Sequence, residues 1–151
     1  MNPVSFARQQ QLAAARPHLQ YRCWMLRHCG KRYGDEEDWV IAHALLESFL
    51  IHARALFVFL EPPIEHMPPR WEGDIFARDY LGDEADWSAE DLELAAAFAR
   101  DFLMPLDPHV TRFSPSQPKP EWPFEAELQF IRRRLQGLLL VMPELFDKPT
   151  S

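Results

Sequence analysis

Glycine is scarce, with 5 in 151 residues, and cysteine is scarcer, with 2. Two cysteines exclude a disulfide-stapled miniprotein. Cys23 and Cys29 stand six apart, about 240° around a helix, so they face apart and cannot bridge locally. They read as small core residues in a reducing, cytoplasmic setting. No Cys/His pair has the short spacing of a structural zinc site, and no metal or cofactor is expected. There is no glycine-rich phosphate loop and no Ser-His-Asp arrangement. No run alternates polar and apolar residues as a half-buried strand would, so no sheet is expected. No apolar run reaches the ~18 uninterrupted residues of a membrane span.

Large apolar side chains, by contrast, are plentiful. Eleven Phe and five Trp exclude a disordered chain. The length suits one domain, here 1–151, and a chain of this size buries roughly 70% of its unfolded surface without staples. Fourteen prolines make the connections stiff.

Charge is segregated along the chain. Residues 1–34 carry six basic groups (Arg8, Arg16, Arg22, Arg27, Lys31, Arg32) and no acid. Residues 35–107 carry 4 basic and 18 acidic groups, and 108–151 carry 6 and 5. An Arg-rich, acid-free start occurs in transit peptides, but this one lacks their Ser richness and holds Cys23 and Trp24 like a folded segment. Two readings remain: a basic helix lying on acidic surface of its own chain or of a partner, or a phosphate-facing patch. The net charge of −7 argues against tight non-specific nucleic-acid binding.

The periodicity predicts an all-α fold, an antiparallel bundle of about four main helices joined by Pro-rich loops. Residues 4–29 form the first helical region, with a break or restart at Pro17 and an end at Gly30 and Gly34. Asp35 caps the second helix, which covers 39–60. WVIAHALLESFLIHARALFVFL is apolar on every side and reads as the central helix. His43, Glu47, His52 and Arg54 interrupt it and argue against membrane insertion. Pro62-Pro63 stops it, and 61–73 is an irregular link. Asp74 caps a short turn reaching Tyr80. Ser88 and Asp91 form an imperfect capping box for a third main helix, with Leu92, Leu94, Ala95, Phe98, Phe102 and Leu103 as its inner stripe. A second Pro-rich link covers 107–123. A last helix covers 123–142, with Ile131, Leu135 and Leu138 inward.

One polar stripe marks the second helix. At 100° per residue, Glu47 and Arg54 fall about 40° and 20° from His43, whereas His52 lies opposite. Charges inside a bundle core must be paired, so His43, Glu47, His52 and Arg54 are expected to form a buried polar network. His109, Arg112 and Trp122 are candidates to complete it. On that expectation Glu47→Ala costs about 3–5 kcal/mol, because Arg54 is left buried and unpaired. A functional variant of the same stripe turns His and Arg toward a phosphate or scissile bond.

The stretch Ala44 to Leu56, ALLESFLIHARAL, resembles the signature of a family of small bacterial all-helical proteins. Gly73 to Tyr80 is similar to an acidic segment of that family, and Pro108 to Arg112 with Trp122 to a later one. The resemblance covers about residues 39–130 and carries no activity with it. The outline is also similar to HEPN domains, helical bundles that include RNA-cleaving toxins and their partners. The HEPN ribonuclease motif is Arg, a polar residue, then His after four to six intervening residues. His109 stands in for the His, but the matching Arg is absent, since 102–104 are Phe-Leu-Met. A literal match, Arg22 to His28, carries Cys23 where the motif has a polar residue.

Two function classes follow. The first is a non-enzymatic module that binds a protein partner or its own copy through its charge blocks, with Trp71, Phe76 or Trp87 as anchors. The second is a metal-independent ribonuclease or toxin-antitoxin component of HEPN type. There, His109 acts as acid/base on a ribose hydroxyl and Arg112 or Arg54 stabilises phosphate charge; RNA is then the partner. Neither reading involves a membrane.

Overall fold

The computed structural model describes residues 5–103 and 121–150, and all regular structure among them is helical. Six α-helices follow in order: α1 (Phe6–Asp35), α2 (Trp39–Leu60), α3 (Ala77–Leu81), α4 (Ala89–Leu103), α5 (Phe124–Arg134) and α6 (Gln136–Val141). A 3-10 turn, Gly82–Ala85, follows α3 directly.

The first helix runs further than its sequence suggests. α1 is continuous through Pro17, Gly30 and Gly34 and ends at Asp35. The Ser5 hydroxyl starts it by accepting the Arg8 amide at 3.2 Å. Pro17 is tolerated because it is exposed, and every buried residue of α1 lies beyond it: Leu19, Cys23, Leu26, Cys29 and Tyr33. The half before Pro17 is held by polar contacts instead. The Arg8 guanidinium bridges to Asp79 at 3.0 Å, Tyr80 donates its hydroxyl to the Leu12 carbonyl at 2.7 Å, and Arg16 donates to the Val141 carbonyl at 3.1 Å.

Because α1 takes Asp35, the cap of α2 moves to Asp38. Its carboxylate accepts the amides of Val40 at 2.9 Å and Ile41 at 3.3 Å. α2 ends at Glu61 in the left-handed region, φ 54°, a conformation costly for a side chain with a Cβ. Glu61 is pinned there by an ion pair to Arg70 and followed by Pro62, which cannot continue the helix. The short α3 has Phe76 at its cap position, not Asp74: the Asp79 carboxylate accepts the Phe76 amide at 2.7 Å, while Asp74 accepts the amide of Trp71 at 2.8 Å.

The core sits between α1 and α2, whose contact is the most extensive among the described residues. α4 lays Phe102 on Phe57, with ring centroids 5.2 Å apart. α5 lays Phe124 on Phe49 and Tyr33, at 4.7 and 4.6 Å. The C-terminal helical region breaks at Leu135 into α5 and α6 rather than running unbroken to residue 142. Gly137 in α6 faces Leu81: a Cβ there would lie 2.9 Å from Leu81 Cδ2, so a larger residue would make the Leu81 side chain move. The 107–123 link falls largely outside the described residues.

Proline inside a helix removes one backbone hydrogen bond and costs about 3 kcal/mol. Pro17→Ala should therefore raise unfolding free energy in urea by about 1–3 kcal/mol, with no loss of helical circular dichroism.

Candidate functional site

The four ionisable residues of α2 do not form a buried network. His52 is buried, whereas Glu47 and Arg54 are exposed and His43 is half-buried. The shared stripe predicted for His43, Glu47 and Arg54 is real, but it faces outward. The physical reason is that an amphipathic helix turns its charged line to water whenever the opposite side can fill the core. Nine apolar positions of α2 do so, among them Leu46, Phe49, Ala53, Leu56 and Phe57. Glu47 and Arg54 have no hydrogen-bond or ion-pair partner among the described residues. His43 donates from Nδ1 to the Trp39 carbonyl at 2.7 Å, within its own helix. His109 and Arg112 lie outside the described residues.

His52 is bound across the α1–α2 seam. Arg22 Nη1 lies 3.3 Å from its Nδ1, and a guanidinium only donates. Nδ1 is therefore the acceptor, and the ring is neutral with its proton on Nε2. Burial lowers the His52 pKa, and the Arg22 charge lowers it further. Tyr21 packs edge-on at 5.4 Å. Arg22 thus belongs to His52 and not to His28, which stacks on Trp24 at 4.9 Å. The literal Arg22–His28 match is not assembled into one site.

A second buried polar group went unnoticed in the sequence. Glu127 is fully buried on α5. Trp122 donates its indole N–H to Oε1, and the Asp101 side chain acts on the same carboxyl group. Burial pushes the Glu127 pKa up to about 8, against the Trp122 hydrogen bond and with help from the Asp101 carboxylate. Trp122 is therefore the hydrogen-bonding companion of Glu127, not a packing partner of the α2 stripe. The signal was available: Glu127 shares a helix face with Phe130, Ile131 and Arg134.

The acidic middle finds its counter-charges at both ends of the chain. Arg133 and Arg134 both bind the Asp91 carboxylate, Arg134 at 2.9 Å. Arg134 also donates to the carbonyls of Ala85 and Asp86 and lies 3.9 Å over the Trp87 ring. Trp87 and Phe76 are consequently half-buried under Arg134 and Arg70; of the three proposed anchors, only Trp71 is exposed, at 75%. A groove of about 630 Å³ between α1 and α5 carries Arg27, Lys31 and Arg132 beside Phe124. Among the described residues, no group of three or more His, Cys, Asp or Glu is arranged to hold a metal ion.

What remains is the outer face of α2. Four of the nine exposed large apolar side chains among the described residues lie on this one helix: Trp39, Val40, Ile41 and Ile51. Val40 and Ile51 are 57% and 60% exposed. α2 is also long and apolar enough to cross a membrane, although half of that apolar stretch is packed inside the fold.

Two outcomes follow. Glu47→Ala should change stability by about 1 kcal/mol or less, since an exposed group without a partner contributes little; a larger loss in urea unfolding would restore the buried network. Glu127 is protonated in the fold up to about pH 8, against a usual value of 4.5. Between those values unfolding releases its proton, so stability falls as pH rises from about 4.5 to about 8 and then levels. Glu127→Gln should flatten that fall and melt above wild type at pH 8.

No family model, no curated protein and no solved structure matches this chain.

Proposed function

We propose that this protein is a non-enzymatic helical interaction module. In this reading it is an antiparallel bundle of HEPN-like outline, with α1, α2, α4 and the α5–α6 pair as the four main helices. The observation that carries it is the apolar outer face of α2, with Val40 and Ile51 more than half exposed. Val40 and Ile51 lie on the same side of the helix, where a second molecule can cover both. The rest of the molecule supports the same reading. Part of the acidic charge is met within the chain, Asp79 by Arg8 and Asp91 by Arg133 and Arg134, whereas Glu47 and Arg54 on the α2 face have no partner among the described residues. His52, the one buried histidine among the described residues, is held by Arg22 in the seam.

Side-chain footprinting of residues 39–58 tests this. It is run on the purified chain at low and high concentration, and inside producing cells. Val40 and Ile51 should be protected in at least one condition relative to the dilute chain. Equal reactivity throughout would overturn the reading. RNA cleavage by the purified protein, lost in His109→Ala, would replace it with the ribonuclease one.

A further inference from the structure

We infer that the partner of the α2 face is a second copy of this chain, bound antiparallel across a twofold axis beside Ile51. This inference rests on the interaction reading above and names its partner.

The spacing of the face comes first. Val40, Ala44, Glu47, Ile51, Arg54 and Val58 stand alternately four and three residues apart. They fall within an arc of about 80°. That is the seam repeat of a two-helix coiled contact, in which each side chain sits between those of the facing helix. Val40, Ala44, Glu47, Ile51 and Arg54 are exposed and Val58 is half-buried. The seam therefore points out of the fold along most of α2, a length of about 27 Å from Val40 to Val58.

The two charges in the seam then select the partner and its direction. Glu47 and Arg54 have no ion pair or hydrogen bond among the described residues. They cannot readily serve each other, being two turns and about 10 Å apart along the axis. A parallel second copy would set Glu47 against Glu47 and Arg54 against Arg54, two like-charge contacts in an apolar seam. An antiparallel copy reverses this. With the axis beside Ile51, Glu47 meets Arg54 of the partner subunit, and Arg54 meets Glu47 of the partner subunit. The same operation brings Ile51 against its symmetry mate and Ala44 toward Val58 of the partner subunit, with Val40 at the edge of the contact. A surface that is complementary to itself under a twofold rotation is what an isologous dimer requires. One helix pair lies at the small end of specific interfaces, so the dimer is expected to be weak, with a micromolar dissociation constant.

Sedimentation equilibrium across the micromolar range is the test, with charge-reversal variants as its arms. Both substituted positions are exposed, so melting curves should stay close to wild type and report that each variant is folded. Wild type should dimerise. Glu47→Arg alone and Arg54→Glu alone should each weaken association by about 10-fold or more, because like charges then face each other. The double variant Glu47→Arg/Arg54→Glu should regain the wild-type constant. An equimolar mixture of the two single variants should form a heterodimer. A dimer indifferent to both reversals overturns the proposal, as does a double variant no better than the singles. A chain monomeric at every concentration also overturns it. If its α2 face is nevertheless protected inside cells, the interaction reading survives with a different partner. Flotation with vesicles of neutral phospholipid in the absence of a dimer assigns the face to a lipid surface instead.

Discussion

Everything in this fold is built on one helix pair. The inner side of α2 places Ala42, Leu46, Phe49, Ala53, Leu56 and Phe57 out of water, each at most 1% exposed. Against it α1 offers Cys23 and Leu26, both fully buried. Small buried residues on both helices, Ala42 and Ala53 on α2 and Cys23 and Cys29 on α1, let the two long helices approach closely. α4 and α5 then need only cap this pair through Phe102 and Phe124. The polar contacts at the seam fit the same geometry: Arg22 reaches His52, and the Cys29 thiol lies 3.4 Å from the Ser48 hydroxyl.

The division of labour on α2 explains why its sequence misleads. WVIAHALLESFLIHARALFVFL is so apolar that it reads as a helix buried on every side, which would force Glu47 and Arg54 into a core network. Composition alone does not say which side a helix turns inward when both are apolar. The angular reading did separate His52 from Glu47 and Arg54, and that separation holds; what failed was the inference that all four were inside. The all-helical class, the limits of α2 and the Ser88 cap of α4, which accepts the Asp91 amide at 3.1 Å, were legible because each rests on local chemistry. The end of α1 was not. Gly30 is only partly exposed, and a Cβ there would meet Phe124 and Phe49 at 3.4–3.5 Å. Its small size serves packing against α5 rather than termination, and Gly34 is simply absorbed in the last turn.

The segregated charge has a similar resolution. A basic start, an acidic middle and an arginine-rich end look like surfaces for external partners. In the fold the two basic segments converge on the acidic one from opposite sides, Arg8 on Asp79 and Arg133 with Arg134 on Asp91. Only Asp91 and Arg134 are largely screened from solvent, at 13% and 10% side-chain exposure, and Arg134 there also stacks on Trp87. That clamp orders the stretch between α3 and α4, where regular structure is short and the apolar core is thin.

The two thiols in the α1–α2 seam have a further consequence. Cys23 and Cys29 are both free and buried, and burial raises both their pKa values, that of Cys23 far above neutrality. Neither can present a thiolate while the helices stay together, so both are shielded from oxidants and alkylating agents. Their chemistry is coupled to the breathing of the seam: each modification event records a separation of α1 from α2. Cys23 is fully buried, so an alkyl group added to it in an opened molecule has no room when the seam closes, and alkylation would hold that molecule open.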